Sequence, residues 1–203
     1  GSLHRVINDD ILAAKGHDVS PRYLANDDIV FSSSRQRTSN SIRVLEGKDQ
    51  FEGQNEDRRA PAMQIHKMDS NGNNIDQLTF NPSLDRDPVI LEDGRILYSR
   101  WDNFANRSSI ALYRMNDDGT GNELLYGYHS HDSLADDTQY VRPVVTENGT
   151  VMVMAKTQRS DHFGGELLII DIENNTEFDQ STFPITSRTG QVRATFRSVD
   201  IDG

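Results

Sequence analysis

One layout occurs three times along this chain, and a repeat of that kind decides a fold before any single motif does. The first unit runs from Tyr23 to Phe31, resumes at Met63–Met68 and turns at Asp69-Ser-Asn-Gly72. The second runs over Val89–Tyr98 and Ile110–Met115 to Asn116-Asp-Asp-Gly119. The third runs over Val144–Val153 and Leu167–Ile172 to Glu173-Asn-Asn-Thr176. Ile29, Ile96 and Val151 hold the same place in the three units, 67 and 55 residues apart. The first unit carries 20 extra residues between its second and third apolar runs, and the third carries 8 ahead of its first; without them both intervals become 47. A four-stranded propeller blade is of that size, about 40–50 residues.

Each unit reads as four short strands. The first strand ends at a turn rich in Asn, Asp and Glu: Asn26-Asp-Asp28, Glu92-Asp-Gly94 and Glu147-Asn-Gly149. Asp-Gly and Asn-Gly steps supply the positive φ that a two-residue hairpin requires. The second strands are Ile29–Ser33, Ile96–Arg100 and Val151–Ala155, and the third strands alternate in part, as in Ile110-Ala-Leu-Tyr-Arg-Met115. Further turns at Asn71-Gly72, Asp118-Gly119 and Asn174-Asn175 lead to fourth strands such as Ile75–Thr79 and Glu123–Tyr126. The Asp69 and Asn116 runs also resemble the start of a calcium loop, but no acidic residue follows at the spacing of its bidentate ligand, so they read as hairpin turns. The expected fold class is all-β: three four-stranded antiparallel sheets, the blades of a partial or half propeller.

The blades are expected over 17–80, 81–127 and 128–180, after an N-terminal extension over 3–16 and before a tail over 181–203. Gly1-Ser2 reads as a cloning scar. Asp9–Lys15 has the pattern of a short helix stopped by Gly16. The 20 extra residues lie within Gln36–Pro61, a polar, charged stretch that reads as a surface loop, in which Ile42-Arg-Val-Leu45 has the composition of an extra strand. Gln191–Ile201 alternates and reads as one more strand or half a hairpin. Leu, Ile, Val and Phe together number 48 of 203 residues, enough for a thin core spread between blades.

The run Asp93-Gly-Arg-Ile-Leu-Tyr-Ser-Arg100, with Leu112-Tyr-Arg-Met-Asn-Asp-Asp-Gly-Thr-Gly121, resembles the PD40 repeat of TolB-like β-propellers. The stretch from Leu91 to Asp102, followed by Glu123-Leu-Leu-Tyr-Gly127, is similar to the propeller region of hydrazine synthase alpha-subunit-like proteins, a broad group of exported bacterial proteins. The resemblance implies a propeller over roughly residues 17–178 and a periplasmic or extracellular location. Enzymatic members of that group carry c-type haems. The 203 residues contain no cysteine, which excludes covalent haem and any Cys-ligated metal within them.

Charge narrows the partners. The formal net charge is −11, which argues against nucleic acid, since phosphate binding needs clustered Lys and Arg. No apolar run approaches the ~18 residues needed to span a bilayer, so membrane insertion is not expected. None of the motifs of Ser-nucleophile hydrolases, P-loop or dinucleotide-binding proteins, or zinc proteases is present.

The register exposes one constellation instead. His17-Asp18, Leu84-Asp85 and His131-Asp132 precede the first strands of the three units, and Asp18 and Asp85 each stand three residues before a proline, Pro21 and Pro88. In the third unit the 8 extra residues separate Asp132 from Pro143. Equivalent residues of successive blades ring a propeller's channel mouth, so His17, Asp18, Asp85, His131 and Asp132 could bind a divalent metal such as zinc, manganese or iron. The competing assignment is that each aspartate caps a turn. Trp101, Tyr128 and His129 are candidate ligand contacts, Trp101 either stacking a sugar ring or packing between blades.

The leading functional expectation is a non-catalytic binding module that presents a protein, peptide or glycan ligand with loop-face side chains. The alternatives are a fragment of a metal-dependent or redox enzyme whose site is completed by further blades, and a scaffold segment of a redox protein whose haems lie elsewhere. Three blades leave two open sheet faces. Val30, Ile65, Leu97, Leu112, Val153 and Ile169, or their alternating neighbours, would form the blade faces. Leu3, Val6, Ile7, Ile11 and Leu12 could cover one end, leaving the other for further blades or a self-associated copy.

Overall fold

A computed structural model describes residues 3–48, 53–55, 58–104, 107–127, 138–157, 164–170, 172 and 196–198. Among them, strands form three four-stranded antiparallel sheets, each ordered as the chain runs. The first sheet joins β1 (Asp18–Tyr23), β2 (Ile29–Ser33), β3 (Gln64–Met68) and β4 (Asp76–Gln77). The second joins β5 (Leu84–Ile90), β6 (Ile96–Phe104), β7 (Arg107–Met115) and β8 (Glu123–Tyr126). The third joins β9 (Thr138–Val145), β10 (Val151–Thr157), β11 (Glu166–Ile170) and β12 (Phe196–Ser198). The outer strand of the third sheet thus comes from the alternating tail, with Phe196 opposite Ile170 and Ser198 opposite Leu168. Of the innermost strands, β5 touches both β1 and β9, so the sheets fan out from one side as propeller blades do.

The turns differ from the two-residue hairpins that Asp-Gly suggests. In the second blade Gly94 N donates to Leu91 O at 2.9 Å, and Leu91 N to Arg95 O at 2.9 Å. The same pair of bonds closes Leu24–Asp28, Asp69–Asn73, Asn116–Thr120 and Thr146–Thr150. This is a three-residue loop ending in one left-handed residue, which forms a bulge with the returning strand. Only that residue needs positive φ: Gly94 at 83°, Gly119 at 84° and, in the first blade, Asp27 at 66°. An aspartate is tolerated there because its short polar side chain bonds locally.

Strand alternation divides the apolar residues between blade interfaces. Leu24, Val30 and Ile65 of the first blade pack against Ile96, Tyr98 and Met115 of the second. Leu97, Leu112 and Tyr126 face the other way and meet Tyr140, Val153 and Leu168 of the third. Leu168 and Ile170 fill this interface, whereas Ile169 is half-buried on the opposite face. Fully burying one such side chain contributes roughly 1.5–3 kcal/mol, so these two interfaces dominate the apolar stabilisation.

The outward face of the first blade is covered by the chain itself. Val6 and Ile7 pack on Ile29, Phe31 and Met68. Helix α1 (Asp10–Ala13) follows, with Asp9 Oδ1 accepting from Ile11 N at 2.8 Å and Leu12 N at 3.0 Å. The cover rests on Gly72: φ there is +82°, and a Cβ would lie 2.3 Å from Val6 O. Gly72→Ala is therefore expected to lift 3–16 off the blade and cost more than ~1 kcal/mol. Faster amide exchange confined to Val6, Ile7 and the β3–β4 turn would show it, and unchanged exchange there would refute it.

The long insertion corrects one expectation. Ile42–Leu45 is not a strand but the last turn of helix α2 (Arg37–Leu45). β2 and β3 pair directly, as Phe31 with His66, so their facing edges have no room for a strand between them. The insertion's backbone must then satisfy itself locally, which a helix does. Gln36 pins its base: Nε2 donates to Ala62 O at 2.8 Å, and Oε1 accepts from Gly53 N at 2.9 Å.

Candidate functional site

Pairing places Asp18 opposite Ser33 and Asp85 opposite Arg100, the same position in two blades. In the third blade that position belongs to Tyr140, opposite Ala155 and three residues before Pro143. The tyrosine fits because the site there adjoins the apolar interface, where its ring meets Tyr126 edge-on at 5.2 Å. Tyr128, His129, His131 and Asp132 lie outside the described residues.

The two described aspartates are already partnered. Asp85 is fully buried and accepts from Arg100 Nε and Nη2, both at 2.9 Å, and from Asn81 Nδ2 at 3.1 Å. The Arg100 guanidinium also lies over the rings of Tyr113 at 4.7 Å and Tyr98 at 5.5 Å. Burial alone would depress the Arg100 pKa, but the Asp85 hydrogen bonds and charge outweigh it and hold it above the ordinary arginine value. Burial raises the Asp102 pKa, against the lowering effect of a hydrogen bond from Tyr113 Oη at 2.8 Å. Asp18 pairs with the buried Arg35, whose guanidinium lies over Phe31. His17 is exposed, with its backbone N–H on Ser34 Oγ at 2.9 Å. Among the described residues no group of three or more His, Asp or Glu side chains could hold a metal ion.

Trp101 is a packing residue. It is buried with Ala62 and Leu84, and Nε1 donates to Ser108 Oγ at 3.0 Å, so its ring face is not free to stack a sugar. His66 is buried in β3, its ring 5.8 Å from that of Phe31 and its Nδ1 3.0 Å from Gln64 O. Burial pushes its imidazole down to about 4.

A different arrangement gathers side chains from all three blades. Each inner strand is broken by a bulge, between Val19 and Arg22, Arg86 and Val89, and Val141 and Val144. At each bulge the residue before proline is left-handed: Ser20 at φ 53°, Asp87 at 56° and Arg142 at 52°. Such conformations cost on the order of 1–3 kcal/mol each and persist only where surroundings enforce them. Asp87 shows the enforcement: its N–H donates to Ser32 Oγ, and its carboxylate accepts from Ser20 Oγ and Arg86 Nε, all at 3.0 Å.

The three bulges line one cleft of about 510 Å³, facing the side on which the inner strands lie. Arg22, Arg86 and Arg142 border it, with Asp87 as the one acidic residue among the described lining residues. Val19, Met63, Pro143 and Val144 supply an apolar wall. The prolines at 21, 88 and 143 were the only sequence signal for the bulges. The arginines carried no signal, because each comes from a different repeat position.

No protein-family model matches the chain, and no curated protein does. Among solved structures it is similar to a chain of Kuenenia stuttgartiensis hydrazine synthase, with a TM-score of 0.63 at 16% identity. The likeness covers 93% of this chain and 28% of that one, so the present chain spans about a quarter of the length of its structural neighbour. At this identity the likeness is one of fold.

Proposed function

We propose that the chain is a ligand-binding segment of a larger, exported β-propeller, and that the cleft along its inner strands is the binding surface. The observation that carries this reading is the triple bulge. Three strained residues in three blades point polar side chains into one concave surface, and strain of this kind concentrates at ligand sites. The TolB-like motif and the fold likeness support a propeller that continues beyond three blades. The partnering of the polar groups supports a non-catalytic role: the one hydroxyl–carboxylate pair among the described lining residues, Ser20 Oγ with Asp87, has its carboxylate held by Arg86 as well, and the buried carboxylate Asp85 is committed to Arg100.

Isotope-labelled chain titrated with peptide and oligosaccharide pools tests the reading. Ligands that bind are expected to shift the amides of residues 19–22, 86–87 and 142–144. Binding that instead perturbs only α2 or the outer strands would refute it.

A further inference from the structure

We infer that the inner-strand cleft is an anion site, built to take an organic ligand bearing two or more carboxylate or phosphate groups; this rests on the cleft being the binding surface. The chain carries a formal charge of −11, yet among the described residues this concave surface sets three guanidiniums against one carboxylate. That carboxylate, on Asp87, is already bonded to Ser20 and Arg86. Among the described residues Arg142 has no acidic partner, and Arg22 bonds only the neighbouring carbonyl of Pro21, at 2.9 Å. Both are exposed. Arginine presents its donors as a planar fork that matches carboxylate and phosphate oxygens. A concave wall of low polarity strengthens the attraction, and Val19, Pro143 and Val144 supply that wall for the ligand's body.

The three arginines belong to three blades, so the site exists only when the blades are assembled. A single charged surface side chain would bind no ion selectively. Forks arriving from three directions recognise several oxyanion groups at once, which favours a polyanionic ligand over a lone carboxylate.

The whole chain, isotope-labelled, is titrated in separate arms with tricarballylate and with pyrophosphate at about 20 mM salt, where surface charges are little screened. Either arm is expected to give saturable shifts at residues 20–22, 86–87 and 142–144, and the tighter arm identifies the group. Arg22→Gln with Arg142→Gln should weaken binding about tenfold or more. Raising the salt should weaken it as well. Both side chains are exposed, so the fold survives the change, and Lys15→Gln, an exposed charge outside the cleft, should have no effect. Absence of saturable shifts in both arms, or binding indifferent to the double substitution, overturns the anion assignment. A neutral oligosaccharide that binds the same residues, indifferent to the arginines, would overturn it too and leave the binding reading standing. Oxyanion shifts confined to α2 or the outer strands would remove both.

Discussion

Asp85→Ala is expected to lower the unfolding free energy by about 3–5 kcal/mol, the cost of leaving a buried cation without its partner. The substitution removes two charge-assisted bonds from Arg100, whose side chain is only 16% exposed, and one of the bonds of Asn81 Nδ2, which keeps its bond to Trp101 O at 3.0 Å. Burial gives Arg100 no water to replace them, and the Tyr113 and Tyr98 rings offset only part of a full charge. The loss should therefore be much larger than for a surface pair such as Arg95–Asp93, where about 0–1 kcal/mol is usual. Removing both charges, as Asp85→Ala with Arg100→Met, should recover most of the stability. Urea unfolding of the three variants decides the matter. A loss below about 1 kcal/mol for Asp85→Ala, or a double variant no better than the single, would show that the pair is not the polar keystone of the second blade.

Acidification from pH 6.5 to about 4 is expected to cost the fold roughly 3 kcal/mol through His66 alone. The sign follows from the direction of the shift. Burial first, with the Arg35 charge adding to it, favours the neutral ring, while hydrogen bonds to Gln64 O and Arg35 and the Asp18 charge oppose it only in part. The unfolded chain takes up the proton near 6.5 and the folded chain only near 4. The contribution is thus complete above 6.5, is lost progressively as pH falls, and is level below about 4. Carboxylates titrate over part of the same range, so the difference between the native chain and His66→Gln isolates the imidazole. A stability difference that stays constant from pH 7 to 4 would show that His66 is reached by water.

Much of the fold is written along the chain. The interval of 47 residues, the Asn- and Gly-rich turns and the strand alternation together specify three antiparallel sheets and the side chains that fill their interfaces. These are local patterns: a hairpin turn needs its left-handed residue at one place, and period-two alternation sends Val30 and Phe31 to opposite faces without reference to anything distant. Turn length was less legible, because Asp-Gly serves both two- and three-residue loops. The helical end of the insertion is not legible in the sequence, because Ile42 and Val44 favour strands in composition, whereas the deciding fact, that β2 and β3 leave no edge between them, is tertiary.

The candidate site divides in the same way. The sequence by itself determined that Asp18 and Asp85 share a repeat position and that prolines recur just after it. Whether those carboxylates were free or paired depended on Arg35, two residues past the end of β2, and on Arg100, opposite Asp85 in β6, both brought near only by strand pairing. The cleft was invisible for a sharper reason. Arg22, Arg86 and Arg142 stand one residue after, two before and one before their prolines, so no periodicity relates them. Repeats reveal what is equivalent between blades. A site at the axis is made of what differs between them, and only the fanning of β1, β5 and β9 about one side brings those differences within reach of a single ligand.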